Sequence, residues 1–428
     1  MVYQEIPKSI EKLMNAVTEK SVKNPRWAEN FNASFSNTLL TTVKKQADGT
    51  TFLLTGDIPA MWLRDSTAQV RPYLLVAKED EEISDMIAGV VERQLQYVNL
   101  DPYANAFNEE ANNAGHQDDH TEMNPWIWER KYEIDSLCYP VQLSYLLYKE
   151  TGRTDQFNQT FKDAVEKILF LWKIEQNHEN SPYLFERDTW REEDTLVNKG
   201  KGSPIKVTGM TWSGFRPSDD RCIYNYLVPA NMFAVVVLDY LKEIYTNILK
   251  ETELIEDITT LRQEINEGIK QYGQVKNEAS ETIYAYEVDG LGNYSIMDDS
   301  NVPSLLAAPY LGYCSQEDPV YLATRKTLLS KENPYFYEGK YAKGIGSSHT
   351  PENYIWPIAL AIEGLTSPDK SEKKRILDLL VENDGGTNLM HEGFDVDNPN
   401  NYTREWFSWA NMMFCELVLD YYDLRINK

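Results

Sequence analysis

An α/α toroid, a ring of helical hairpins around a central cleft, is the fold that this 428-residue sequence predicts, on three observations. Helical periodicity recurs from end to end, most of the helices fall in pairs separated by longer loops, and several of those loops carry Trp, Asp, Glu and His together. Inner helices of a toroid project their end loops into the cleft, so polar and aromatic loops between paired helices are what this architecture needs.

Twelve stretches read as helix: 6–22, 61–77, 82–98, 134–150, 156–175, 223–245, 255–272, 302–311, 320–329, 353–365, 371–383 and 403–425. One interval reads differently. Residues 35–55 hold two β-rich runs around Ala47-Asp48-Gly49, and the Asp-Gly pair is a hairpin signal, so a small β-hairpin is expected near the N-terminus of an otherwise all-α chain. No low-complexity tract, Ser/Gly linker, charge block or exact repeat marks a boundary, which makes 1–428 a single domain.

Composition narrows the function. Aromatic residues make up 12 %, with Tyr 27 and Trp 10, enough for a large core and for rings that face a ligand. The net charge of −25 repels a polyanion, which argues against nucleic acid and anionic membranes as partners. Cys138, Cys222, Cys314 and Cys415 lie far apart and form no CxxC, so neither a zinc site nor a disulfide framework is patterned. The N-terminus lacks an apolar stretch of signal-peptide length, and no segment approaches the ~20 apolar residues of a membrane span. The expectation is a soluble cytoplasmic protein that needs no protein partner.

Three segments carry chemistry. In 56–66, GDIPAMWLRDS, Asp57 stands in a turn, and Arg64 and Asp65 open a helix beside Trp62. Such a set can hydrogen-bond vicinal hydroxyls while the ring packs on a sugar face, or it can cap and pair a helix start. In 209–221, GMTWSGFRPSDDR, Asp219 and Asp220 sit between Arg216 and Arg221. One of these residues suffices as an N-cap for the following helix, but two adjacent carboxylates repel, and repulsion with partial burial holds one protonated, as a general acid requires. In 388–395, NLMHEGFD, Glu392 lies between an imidazole and a glycine in a loop.

The remaining signals are weaker. HExxH would need a histidine where Asp395 stands, and Pro399 and Asn400 spoil a calcium loop that would begin at Asp395. In 108–120, His116 and His120 are spaced for a helical metal pair, but Gly115 argues against a helix there. No metal and no cofactor are specified. The clusters 344–350, GIGSSHT, and 402–409, YTREWFSW, read as pocket lining or as ordinary core and hinge. Residues 344–346 lack the third glycine of a dinucleotide fingerprint, and GxxxxGK[ST] and GxSxG are both absent.

Taken in order and at their separations, GDIPAMWLRDS, GMTWSGFRPSDD, GIGSSHT and HEGFD resemble the bacterial members of glycoside hydrolase family 125, over almost the whole chain. The resemblance implies an (α/α)6 barrel and a metal-independent, inverting exo-α-1,6-mannosidase that removes terminal mannose from N-glycan-type oligosaccharides. It also implies that the aspartate of SDD is the general acid, Asp219 with Asp220 as the alternative, and that Glu392 is the general base. Asp57, Trp62, Arg64, Asp65 and His349 are implied contributors to the sugar subsites. Two rivals stand beside this reading. One is another (α/α)6 glycosidase of different sugar specificity, such as a glucosidase or an unsaturated-uronide hydrolase; the other is a carbohydrate-binding protein without turnover.

Overall fold

A computed structural model describes residues 2–427. They form two compact units, each made of non-contiguous stretches: one holds the residues up to Gln94, Leu143–Gln156 and those from Tyr337 onward, the other Leu95–Gln142 and Phe157–Phe336. In both, helices supply most of the regular structure.

The first unit is organised on the helix Ser408–Tyr421, against which Pro25–Thr42, Leu63–Val70, Pro357–Leu365 and Lys370–Glu382 pack. Its sequence, SWANMMFCELVLDY, is buried on nearly every side, the pattern of an inner helix rather than an amphipathic outer one. A Cβ on Gly364 would come within 2.7 Å of Leu417, so the approach of Pro357–Leu365 to this helix depends on a residue without a side chain. The Pro25–Thr42 helix contributes hydroxyls to the same seam, with Thr38 Oγ1 and Ser408 Oγ 2.7 Å apart and Ser34 donating to Asn411 Oδ1 at 3.2 Å.

Pro25–Thr42 is where the sequence reading fails first. The run at 35–42, taken as the first arm of a hairpin, is helical; only Val43–Lys45 and Thr51–Leu53 pair antiparallel, with Val43 opposite Leu53 across the Asp48-Gly49 turn. Three further strands, Tyr354–Ile355, Gly393–Asp395 and Asn398–Thr403, form an antiparallel sheet with Phe394 opposite both Ile355 and Tyr402. The stretch 403–425, read as one helix, therefore begins as the end of a strand and becomes helical only at Ser408.

In the second unit Val228–Glu243 packs against Ile255–Tyr272, which also meets Gln159–Glu175. Residues 223–245 were expected as one helix. Instead Tyr226–Leu227 is a strand paired with Glu287–Val288, and the helix starts at Val228 with Pro229 in its first turn. Of 302–311 only Ala308–Leu311 is helical, in keeping with prolines at 303 and 309. Among the described residues no helix is long and apolar enough to cross a membrane.

Candidate active site

In the second unit the SDD segment is a hairpin tip. Asp219 N–H donates to Arg216 O at 2.9 Å, closing a four-residue turn with Pro217 in its second position, and Arg216 N–H donates to Asp220 O at 2.8 Å. This is the three-residue hairpin loop whose last position takes the left-handed conformation and normally holds glycine. Here it holds Asp219, at φ +64°. Few side chains other than aspartate and asparagine enter that region readily, so the tip tolerates few replacements here. The base of the hairpin is locked by buried Glu287, which accepts from Arg216 Nε at 2.6 Å and from the backbone N–H groups of Ile223 and Tyr224 at 3.1 and 3.2 Å.

The helix that follows is capped neither by Ser218 nor by an aspartate. It begins at Val228, well beyond the pair, and its N-cap position is Leu227. The two aspartates are held quite differently. Asp220 is fully buried and takes both its oxygens to Arg191 Nη2, at 3.0 and 3.2 Å. Asp219 remains partly exposed.

Around Asp219 the chain assembles groups that the motif does not contain. Lys131 Nζ donates to the Asp219 carbonyl at 2.8 Å and to Asp194 Oδ1 at 3.0 Å. Buried Glu129 lies 3.5 Å from Lys131 Nζ and accepts from Arg187 Nη2 at 2.9 Å. Burial and the neighbouring Asp219 push the Glu129 carboxyl up, but Lys131, Arg187 and His116 outweigh them and leave it below its ordinary value. Glu129 is thus a fixed negative charge. Asn105 Nδ2 reaches both acids, Glu129 Oε2 at 3.0 Å and Asp219 Oδ1 at 3.3 Å.

The first unit holds the other predicted residues. Glu392 N–H donates to Thr403 O, which ties it to the start of the Gly393–Asp395 strand, and Met390 N–H donates to Asn411 Oδ1 on the inner helix at 2.8 Å. The loop expected around Glu392 is therefore braced on both sides. His391 is structural: it is buried, stacks on Tyr402 at 3.8 Å and 6°, and places both ring nitrogens against backbone carbonyls.

Arg404 joins the half-site together. Its Nε and Nη2 reach Asp57 Oδ1 at 2.9 and 2.5 Å, and Nη1 lies 3.8 Å from Glu392 Oε1. Burial pushes the Arg404 guanidinium down, but Asp57, Glu392 and Asp65 more than offset it, so the charge is secure. Its backbone, at φ +47°, is also left-handed. Gly56 explains the position of Asp57: at φ +143° it packs where a Cβ would sit 2.4 Å from Trp406 O.

The other sugar-binding candidates line the same unit. Arg64 is buried with its guanidinium 5.4 Å from the Trp409 ring centre and its Nε 3.6 Å from Asp65 Oδ2. Trp62 is buried, and its indole N–H finds no acceptor among the described residues. His349 makes an edge contact with Trp356, whose ring packs beside Gly393. The sequence reading placed Arg404 in an aromatic cluster without assigning it a role, and it gave none to Asn105, Glu129, Lys131 or Arg191. No motif separates these five from ordinary polar residues; only the fold does. Among the described residues no group of three or more His, Cys, Asp and Glu is placed to hold a metal ion.

Residues 24–419 match the model of the family described as metal-independent alpha-mannosidase, GH125. The meiotically up-regulated gene 157 protein of Schizosaccharomyces pombe is 37 % identical over 96 % of this chain and 85 % of its own length. A metal-independent α-mannosidase of Streptococcus pneumoniae, solved in a non-productive complex with α-1,6-mannobiose, is 61 % identical with a TM-score of 0.97, over 99 % of this chain and all of that one. A glycosidase of 13 % identity aligns at a TM-score of 0.56 over 93 % of this chain and 97 % of its own, a likeness of fold alone.

Proposed function

This chain belongs to glycoside hydrolase family 125, the metal-independent α-mannosidases, and is a glycoside hydrolase, and on that premise we propose that it is an inverting exo-α-1,6-mannosidase acting on mannose-terminated oligosaccharides of the N-glycan type. Asp219 is the general acid and protonates the glycosidic oxygen. Glu392 is the general base and takes a proton from the water that attacks the anomeric carbon from the opposite face. Inversion requires room for that water, which sets the working carboxyls roughly 6.5 to 9.5 Å apart when substrate is bound.

The observation that carries the choice of acid is the contrast between the two adjacent aspartates. Asp220 is committed to Arg191 and buried, whereas Asp219 is partly exposed and stands in a backbone conformation normally left to glycine. Asp57, Trp62, Arg64, Asp65 and His349 bind the sugar hydroxyls and faces, and Arg404 holds Asp57 and Glu392 together. The family match runs without a break through 24–419, which supports one catalytic domain of (α/α)6 type. The α-1,6 linkage is favoured by the disaccharide bound to the Streptococcus pneumoniae relative.

The test follows the anomeric proton signals by NMR while the enzyme digests α-1,6-mannobiose. β-Mannose appearing first is the expected result and reports both linkage and inversion. α-Mannose first would mean a retaining enzyme with a carboxylate nucleophile. Release of no mannose would move the search to other linkages and sugars.

A further inference from the structure

We propose that Asn105 is a positioning residue for the acid: its amide fixes Asp219 Oδ1 as a hydrogen-bond acceptor, so that the transferable proton resides on Oδ2. The inference rests on the reading of Asp219 as the general acid. A carboxylic acid that delivers a proton has two oxygens with different duties, and something must make them unequal.

Asn105 is fully buried, and the orientation of its amide is determined by its neighbours. Its Oδ1 accepts from the backbone N–H of Lys131 at 3.1 Å, so Nδ2 must face the other way. There it meets three carboxylates: Glu129 Oε2 at 3.0 Å, Asp219 Oδ1 at 3.3 Å and Glu133 Oε1 at 3.4 Å. An amide nitrogen carries two hydrogens and accepts none, so the three oxygens share two donors and none of them can point a proton at it. Asp219 Oδ1 cannot carry its own proton toward Asn105 without placing two hydrogens face to face.

The charges nearby explain why the donor is neutral. Glu129 and Glu133 are buried on one side, while Lys131 and Arg187 already supply positive charge to Glu129 and to the carbonyl of Asp219. A third cation at position 105 would hold Asp219 ionised, and a further carboxylate would repel it. Asparagine orients the acid without setting its charge, and Lys131 fixes the backbone of the same residue.

The test compares two substrates. α-1,6-Mannobiose has a poor leaving group that needs the proton; 2,4-dinitrophenyl α-mannoside has one that departs without it. For Asn105→Ala, kcat on mannobiose is expected to fall about 10- to 100-fold with KM within about twofold, while kcat on the dinitrophenyl mannoside stays within about threefold of the unmodified enzyme. Equal losses on both substrates in a protein that still unfolds cooperatively, a change confined to KM, or no change on either would overturn the proposal. If Asn105→Ala shows no cooperative unfolding, Asn105→Ser, smaller but still a donor, carries the comparison, with partial retention of kcat on mannobiose expected and an unbiased loss on both substrates counting against the proposal. Asp219→Asn separates the two layers. If it leaves mannobiose hydrolysis intact, the assignment of the acid fails and takes Asn105 with it. If it abolishes mannobiose hydrolysis and spares the dinitrophenyl mannoside while Asn105→Ala shows no bias, only the role of Asn105 fails.

Discussion

The surroundings of Glu392 and of Asp219 differ in kind. Glu392, in the first unit, lies beside a guanidinium that is itself clamped to Asp57. Asp219, in the second, is touched by a neutral amide and stands near Glu129, whose charge is secured by Lys131 and Arg187. Each has a cation within reach, Arg404 beside Glu392 and Lys131 on the Asp219 carbonyl, but only Asp219 shares its amide donor with two buried acids, Glu129 and Glu133. The contrast teaches that the proposed base and acid are told apart by what the fold places around each, since both belong to short acidic words in the sequence.

The contrast is broken most severely at Glu392, the proposed base. Glu392→Gln is expected to lower kcat by about 10³- to 10⁴-fold on every α-mannoside, whatever its leaving group, because activation of water is needed for each. Steady-state kinetics on α-1,6-mannobiose and dinitrophenyl mannoside check it; sparing of the activated substrate would place Glu392 on the acid side of the reaction. Asp219→Asn should cost about 10²- to 10⁴-fold on mannobiose alone. The two variants together therefore sort the roles by leaving-group dependence.

Asp220→Asn sharpens the comparison at its neighbour. It weakens the Arg191 pair, so the larger effect is expected on folding, about 1–3 kcal/mol by denaturant titration, with kcat on mannobiose reduced less than in Asp219→Asn. A greater kinetic loss at 220 than at 219 would reverse the assignment of the acid.

The last effect falls on stability alone and concerns a buried carboxyl to which no catalytic role is assigned. Asp298 is fully buried, and burial raises it from 3.8 to about 8 even though the backbone N–H groups of Leu305 and Leu306 pull the other way. The unfolded chain releases this proton first, so the contribution to stability falls as pH rises from about 4 to about 8, with a slope of at most about 1.4 kcal/mol per pH unit, and then levels off. Asp298→Asn should flatten that part of the stability–pH curve, and an unchanged slope in chemical denaturation would show that Asp298 is ionised throughout.

Much of the helical content was legible because helices such as Ile255–Tyr272 keep one wet face and so print a 3.6-residue period. Pro25–Thr42 was misread because its Thr, Ser and Phe residues favour strands in isolation. In the fold, Ser36, Thr41 and Thr42 turn their hydroxyls back to carbonyls four residues earlier, and the other face packs on the inner helix. Candidate site residues were legible where they are contiguous, as in GDIPAMWLRDS and HEGFD. Asn105, Lys131 and Arg191 were not, because each lies far along the chain from its Asp219/Asp220 partner, the nearest being Arg191, 29 positions from Asp220. Nor could the sequence separate Asp219 from Asp220, since what distinguishes them is a backbone torsion and an arginine brought from another loop.

The left-handed backbone at residue 219 has a consequence for trapping the enzyme with intact substrate. Asparagine is among the few side chains that accept this conformation readily, while alanine at the same torsion is strained and would let the hairpin tip relax. On the proposed role, Asp219→Asn is therefore the variant to crystallise with mannobiose: it would replace the proton donor while keeping a residue suited to the left-handed tip, whereas Asp219→Ala would favour a relaxed tip.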